Sequence, residues 1–539
     1  MSSCSKPILT LTLLTLIGGY GQCACTITGI LPSGVKIGTK VDVNLTGKFD
    51  VWPISFWCSN PIIKIIPLST KGSISVEVPA SVHPEWLWIR GYDSKGFSEA
   101  KPFFVGNINE IQETETNDKT QTAQKLIEPS VITGRLAKSG DIDCFSYPLQ
   151  KGETLVASLC ANQILNSPMD SVLQIVSSDG FVLGQNHDEK NLDPELVFKA
   201  PKEGIYIIRL FAFPAEPNST IRFAGDNSYL YRLTITNGPF ALVPFPIAIP
   251  AKHSGLVTIR GWNLNKNCDT VYVKASLNQK DTLFHPLWPN TITAIRSEGE
   301  SHLHNSKSNI ALTVPSTISL DSATIKAPNT MFLKMVKGKG IDIKAKSHSL
   351  GFLMTPIIRV RDSKGKIVHV FEPNDLHQDT YGTLTLSTDE IYKFEVYDLF
   401  DHISPRHICI LEITDLQPNF EINSKSDSIL ITDKKQTVLM VNVTKKNGFS
   451  EPIEIFASGL PIGFNCKQEQ TQKKDGLSIS LTFSAGPAAT QGAFQLTACV
   501  KGSNMPNRRI MAKSGNGPDQ PFFWIQSIPE INKTGNIKK

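Results

Sequence analysis

The sequence predicts an all-β protein, a tandem array of β-sandwich modules. Three observations carry this. Short runs rich in Val, Ile, Thr and Phe alternate with polar residues, and Gly 37 and Pro 34 supply the turns that close them. At 539 residues the chain exceeds one ordinary core, so roughly three to five domains are expected. Finally, one series of strands occurs twice at a nearly constant spacing.

Taken in order, the chain opens with Lys6, the apolar run ILTLTLLTLI (8–17) and small residues up to Ala24. This pattern reads as a secretory signal over 1–24. Its apolar run falls short of the ~20 residues that span a membrane, and no later segment reaches that length. A lipid anchor on Cys25 is the alternative, although Gln22 stands where such signals usually carry Leu. The protein is therefore expected to be exported: periplasmic, at the cell surface or secreted. A formal charge of +5 spread over scattered Lys gives no dense basic patch, so nucleic acid is not an expected partner.

Cys25, Cys58, Cys144, Cys160, Cys268, Cys409, Cys466 and Cys499 follow the leader. Their spacing cannot select a disulfide connectivity. Cys466 with Cys499 is the first pair to test, and buried free thiols are the competing reading. No CxxC points to structural zinc.

Residues 25–106 alternate apolar and polar positions between Gly-bearing turns, as a sandwich of short strands does. Trp86 and Trp88 share one face of a strand there, while Trp52 and Trp57 flank a loop. Core packing explains these rings better than a sugar-stacking platform.

The repeat is the most informative feature. SPMDSVLQIVSSDGFVLGQN (167–186) aligns with FLMTPIIRVRDSKGKIVHVF (352–371), placing Met169 on Met354 and Gly180 on Gly365. EGIYIIRLFAF (203–213) aligns with DEIYKFEVYDL (389–399), and LQKGETLVAS (149–158) with MVKGKGIDIK (335–344). An offset of 185 or 186 throughout marks a duplicated β module. The second copy keeps the strands and loses most of the polar residues.

One stretch concentrates acids. In EIQETETND, an extended backbone would turn Glu113, Glu115 and Asn117 to one face, with Asp118 beside them. Further along, GDID supplies Asp141 and Asp143, again two apart. Calcium takes about six to eight oxygens from carboxylates, amides, carbonyls and waters. These six residues approach that number. The alternative is a solvated linker with Asp141 and Asp143 at a strand turn. The equivalent of GDIDCF in the second copy reads APNTMF (327–332), so the fold itself does not require the acids. Asp170, Asp188 and Asp193 gather around another loop, where turn structure explains them better than a second site.

The blocks ETETND, TAQKL, GRLAKSGDIDCFSYPLQKGETL, NSPMDSVLQIVSSDGFVL, NHDEKNLDPELVF and APKEGIYIIRLFAF closely resemble the bacterial pre-peptidase C-terminal domain. That family is a jelly-roll-like β-sandwich appended to secreted peptidases. The resemblance covers about residues 107–238, with a degenerate second copy at 321–417. It implies calcium on Glu113, Glu115, Asn117, Asp118, Asp141 and Asp143, by match to the Glu-x-Glu-x-Asn-Asp and Asp-x-Asp ligands of collagen-binding relatives. GLVTIRGWNLNKNCDTVYV (255–273) resembles the IPT/TIG type of immunoglobulin-like module, as 25–106 does more weakly. VNVTKKNGFSEPIEIFASGLPIGFNC (441–466) and the strands after it resemble a bacterial immunoglobulin-like domain. The expected division is 25–106, 107–238, 239–320, 321–417 and 418–526, with a tail at 527–539.

Catalytic motifs are missing: no GxSxG, HExxH or GxxxxGK[ST] occurs. His302 with His304, and His402 with His407, are close in sequence without a metal-site pattern around them. The reading is a non-catalytic, elongated, exported protein, calcium-stabilised, that contacts extracellular polysaccharides or protein polymers. The alternative is an accessory or remnant of a secreted peptidase, on fold-level association alone. Few contacts are expected to cross the junctions near 106, 238, 320 and 418.

Overall fold

The computed structural model describes residues 25–528, apart from 217–218, 220–221, 277, 279, 298–299, 305–309, 322–327, 376–377, 433–435, 474–475, 503–506 and 513–518. Residues 1–24, where the secretory signal is expected, and the residues from 529 onward lie outside the described residues. The protein is all-β, with sheets stacked in pairs as tandem β-sandwiches. Among the described residues no helix is long and apolar enough to cross a membrane.

The duplication is exact in topology. In the first copy one sheet runs Glu110–Gln112, Ser130–Arg135, Leu230–Thr236, Thr154–Cys160, Glu195–Lys199. The facing sheet runs Gln124–Lys125, Asp143–Leu149, Gly204–Pro214, Met169–Val176, Val182–Asn186. The second copy repeats both orders, from Glu300–His304 to Thr380–Thr385 and from Ile310–Leu312 to Ile367–Phe371. The hairpin turns match as well. Gly180 and Gly365 sit at φ 89° and 81°, left-handed conformations that favour glycine. Each sandwich closes over its own apolar core, with Phe145, Leu173, Ile208 and Leu233 in the first copy and Met331, Ile358, Phe394 and Leu411 in the second.

Five expectations need correction. The second copy begins at Glu300 rather than 321, because Glu300–His304 and Ser316–Asp321 pair in its first sheet and not in the small module before it. Its polar opening had hidden the strand.

Second, the junction between the third and fourth modules is packed. Val243, Phe245 and Ile247 share an apolar cluster with Phe352, Ile408 and Ile410, so the third and fourth modules are joined by a core of their own. Arg260 pairs with Asp321 at 2.7 Å across the same seam.

Third, the first and last modules meet. Arg90 forms a buried ion pair with Asp427, and Trp57 and Tyr92 pack against Trp524. The chain therefore folds back on itself and is not an elongated array.

Trp86 and Trp88 do share a face, but it is the outer one. Leu87 and Ile89 turn into the core, and Trp86 packs on Phe104 at the seam with the second module. Arg232 of that module lies over Phe104 and pairs with Glu110 at 2.6 Å. Trp52 packs against the first core and donates from Nε1 to Leu68 O at 2.7 Å.

Finally, among the described residues Cys58, Cys144, Cys160, Cys268, Cys409, Cys466 and Cys499 form no disulfide with one another. Cys466 packs toward the core of the last module, whereas Cys499 lies between the inward residues Ala498 and Val500 and faces out. Strand alternation therefore aims the proposed pair at different surfaces. Cys25 is fully buried in the first core, with its thiol 3.7 Å from Gly91 O.

Candidate metal centre

The acidic site lies at one end of the first copy, where three chain segments converge. The first strand of that copy stops at Gln112, paired in parallel with Val131–Thr133. The chain beyond it is irregular, so Glu113, Glu115 and Asn117 do not share a strand face as the i, i+2 spacing suggests. A bend after Glu113 gathers them instead. Glu115 stays exposed while Asn117 is fully buried. Backbone bonds fix both ends of this crossing: Glu113 N donates to Thr133 O at 3.0 Å, and Cys144 N to Asn117 O at 3.1 Å.

Asp141 and Asp143 arrive from the second segment. Asp143 opens its strand opposite Leu210, and Asp141 precedes it in a loop. Both are fully buried, as Asn117 is. Such burial does not suit a solvated linker, since carboxylates are almost never buried without partners.

Glu113, Asp141 and Asp143 are each held by one oxygen and present another. Arg135 N donates to Glu113 Oε2 at 2.9 Å, Ala137 N to Asp141 Oδ2 at 2.5 Å, and the Tyr231 hydroxyl to Asp143 Oδ2 at 2.6 Å. Glu113 Oε1, Asn117 Oδ1, Asp118 Oδ1, Asp141 Oδ1 and Asp143 Oδ1 are buried and accept no hydrogen bond. Glu113, Glu115 and Asp143 each offer an oxygen within 4.8 Å of the others. Lys138 ties in the remaining two, with its ammonium 3.4 Å from Asp118 and 3.5 Å from Asp141. Of the six residues singled out from the sequence, Glu113, Glu115 and Asp143 converge directly, Lys138 links Asp118 and Asp141, and Asn117 is buried on the crossing segment.

The electrostatics follow from crowding. Burial, then the neighbouring Glu113 carboxylate, pushes the Asp143 carboxyl up to about 10. Burial raises Glu113 as well, and Tyr231 stands well above the usual phenol range for the same reason. Acids held this way favour a proton or a cation. Four buried oxygens without a partner, the Asp141 oxygen beside Lys138 and an exposed carboxylate match the hard-oxygen set that calcium takes, completed by carbonyls or water. The residues therefore fit that ion.

Sequence reasoning missed Tyr231, Lys138 and Gly134. Gly134 is required by space: a Cβ there would lie 2.3 Å from Glu113 Oε2 and 2.4 Å from the Tyr231 oxygen. Its signal was present in GRLAKSGDID but had no reader without the fold.

The other acidic group does not assemble. Asp193 is consumed by the N–H groups of Ala161, Asn162 and Gln163 at 3.2, 2.8 and 3.2 Å, where it anchors a short helical turn. Asp188 is exposed beside His187, 3.3 Å from its Nε2, with Asp170 nearby.

Fold and site together define a tandem β-sandwich protein with a buried, oxygen-rich pocket in its second module. No family model matches the chain, and no curated protein does. Among solved structures, it is similar to the pre-peptidase C-terminal domain of a collagenase from Bacillus anthracis at 11% identity, covering 23% of this chain and 100% of that one with a TM-score of 0.17. It is similar to fibronectin(III)-like modules of Clostridium thermocellum CbhA at 8% identity (38% and 93% covered, TM-score 0.13). Domains 1–6 of the surface layer protein SbsC match at 7% identity over 96% of this chain and 58% of that one, TM-score 0.16. At these scores the likenesses say nothing about activity or ligands.

Proposed function

We propose that this is a non-catalytic, exported binding or structural protein, stabilised by calcium in its second module, that contacts extracellular polysaccharides or protein polymers. The observation that carries the calcium reading is the set of buried oxygens without a hydrogen bond on Glu113, Asn117, Asp118, Asp141 and Asp143, of which only that of Asp141 has a cation, Lys138, beside it. Calcium held there by these residues and Glu115 would offset the mutual repulsion of the carboxylates. It would also fasten the crossing segment 113–118 to the body of the sandwich. Packed seams between modules support a structural role, since they hold the modules in fixed relation rather than on free linkers.

Two measurements test the reading. The melting temperature of the full chain should rise in millimolar calcium over chelator, and an unchanged value would remove calcium from it. A panel of polysaccharides and protein polymers, run beside casein hydrolysis and an active-site serine probe, separates binding from catalysis. Retention on a polymer without hydrolysis or labelling is expected. Hydrolysis or serine labelling would overturn it.

A further inference from the structure

The second copy lacks the acidic pocket but assembles a different cluster at the same end of its sandwich. Asp398 ends the strand Glu390–Asp398, and the loop after it carries His402 and His407. One ligating atom from each of the three lies within 4.8 Å of the others. We propose that Asp398, His402 and His407 form a binding site for a transition-metal dication of the zinc class, distinct in position and chemistry from the calcium pocket.

The loop is organised around this cluster. Asp398 Oδ1 accepts the Thr355 N–H at 2.7 Å, and Oδ2 accepts those of Phe400 at 3.1 Å and His402 at 3.0 Å. Asp401 takes a left-handed φ of 54° that turns the chain back over the carboxylate. The His402 ring stacks on Phe400 with centroids 5.7 Å apart. His407 Nδ1 lies 2.7 Å from the Ser404 hydroxyl oxygen, which also accepts the Arg406 N–H at 3.1 Å. An imidazole held through one nitrogen presents the other as the ligand, the arrangement that orients histidines at metal sites.

Donor chemistry chooses the ion. Two imidazole nitrogens and one carboxylate suit zinc and its neighbours, whereas calcium wants oxygen throughout. His407 and Asp398 are buried and His402 is exposed, so the site is walled on one side and open to solvent on the other. A fourth position is thereby left to water or an incoming group. The strand register makes the site private to this copy, because the residue corresponding to Asp398 is Ala212.

A structural role for Asp398 alone would explain its three backbone bonds but not the convergence of both rings. The test uses the untagged full chain. Zinc titration by calorimetry should show one equivalent bound, and cobalt(II) should give a visible ligand-field band at the same stoichiometry. His402→Ala removes an exposed ring without touching the core, as circular dichroism will verify, and should weaken zinc by about tenfold or more. His407→Gln should do the same. Asp141→Asn with Asp143→Asn should leave the zinc isotherm unchanged. No heat and no cobalt band in the parent chain, a parental isotherm in His402→Ala, or loss of zinc in the Asp141/Asp143 variant would each overturn the proposal.

Discussion

The two copies of the repeated module share every strand and differ at one end. Register aligns them residue by residue there. Asp143, opposite Leu210, becomes Asn329 opposite Val396. Gly134 opposite Tyr231 becomes Leu320 opposite Cys409. The gap that Gly134 leaves for the Glu113 carboxylate and the tyrosine hydroxyl is filled in the second copy by a fully buried leucine. At these positions the same β frame thus closes over a leucine and an asparagine in one copy and over carboxylates in the other. Buried acids are therefore not a requirement of the frame. They are costly to bury, which makes a bound cation their natural counterpart in the first copy.

The largest effect expected from this contrast lies on the apolar side. Leu320→Ala should destabilise the protein by about 2–5 kcal/mol through lost burial and a cavity, equally with calcium and with chelator. A calcium-dependent loss would mean that the second copy also senses the ion. Next comes the pocket itself. Calcium at a hundredfold excess over its Kd should stabilise the parent chain by about 2.7 kcal/mol. Asp141→Asn with Asp143→Asn should erase that difference in thermal melts. Gly134→Ala should erase it too, because the new methyl group displaces the Glu113 carboxylate.

The pH dependence sharpens the comparison by sign. In chelator, folded Asp143 holds its proton up to about 10, while the unfolded chain releases it near the ordinary carboxylate value of 3.8. Over that window the native state binds the extra proton, so stability should fall as pH rises. Calcium competes with that proton, so the stabilisation it gives should grow over the same range. Urea midpoints at several pH values, with and without calcium, test both slopes, and a calcium increment independent of pH would contradict the account. Asp143→Asn should flatten the falling slope in chelator. The smallest effect concerns Tyr231→Phe. Loss of the hydroxyl that donates to Asp143 should cost about 1 kcal/mol in chelator, whereas Cys409→Ala in the second copy should show no calcium dependence at all.

Much of this was legible in the chain. The constant offset exposed the duplication, and all six pocket residues stood out in two short acidic motifs. What stayed hidden was long-range or outward-facing. Tyr231 reaches Asp143 across 88 residues, and no local pattern marks it. Alternation shows that Trp86 and Trp88 share a face, but not whether the core or a neighbouring module covers it. The ion pair of Arg90 with Asp427 joins residues 337 apart, so the closure of the chain on itself has no local signature. The polar opening of the second copy concealed an edge strand, since parallel pairing at an edge needs backbone groups more than apolar side chains.

The central claim is that the first copy holds one calcium ion and the second holds none. Calcium titrated by calorimetry into the chelator-treated full chain measures this directly. The account predicts one equivalent in the parent chain and none once Asp141 and Asp143 are both replaced by asparagine. A parent chain that gives no binding heat and no calcium-dependent shift in melting, or a variant that still binds one equivalent, would contradict it.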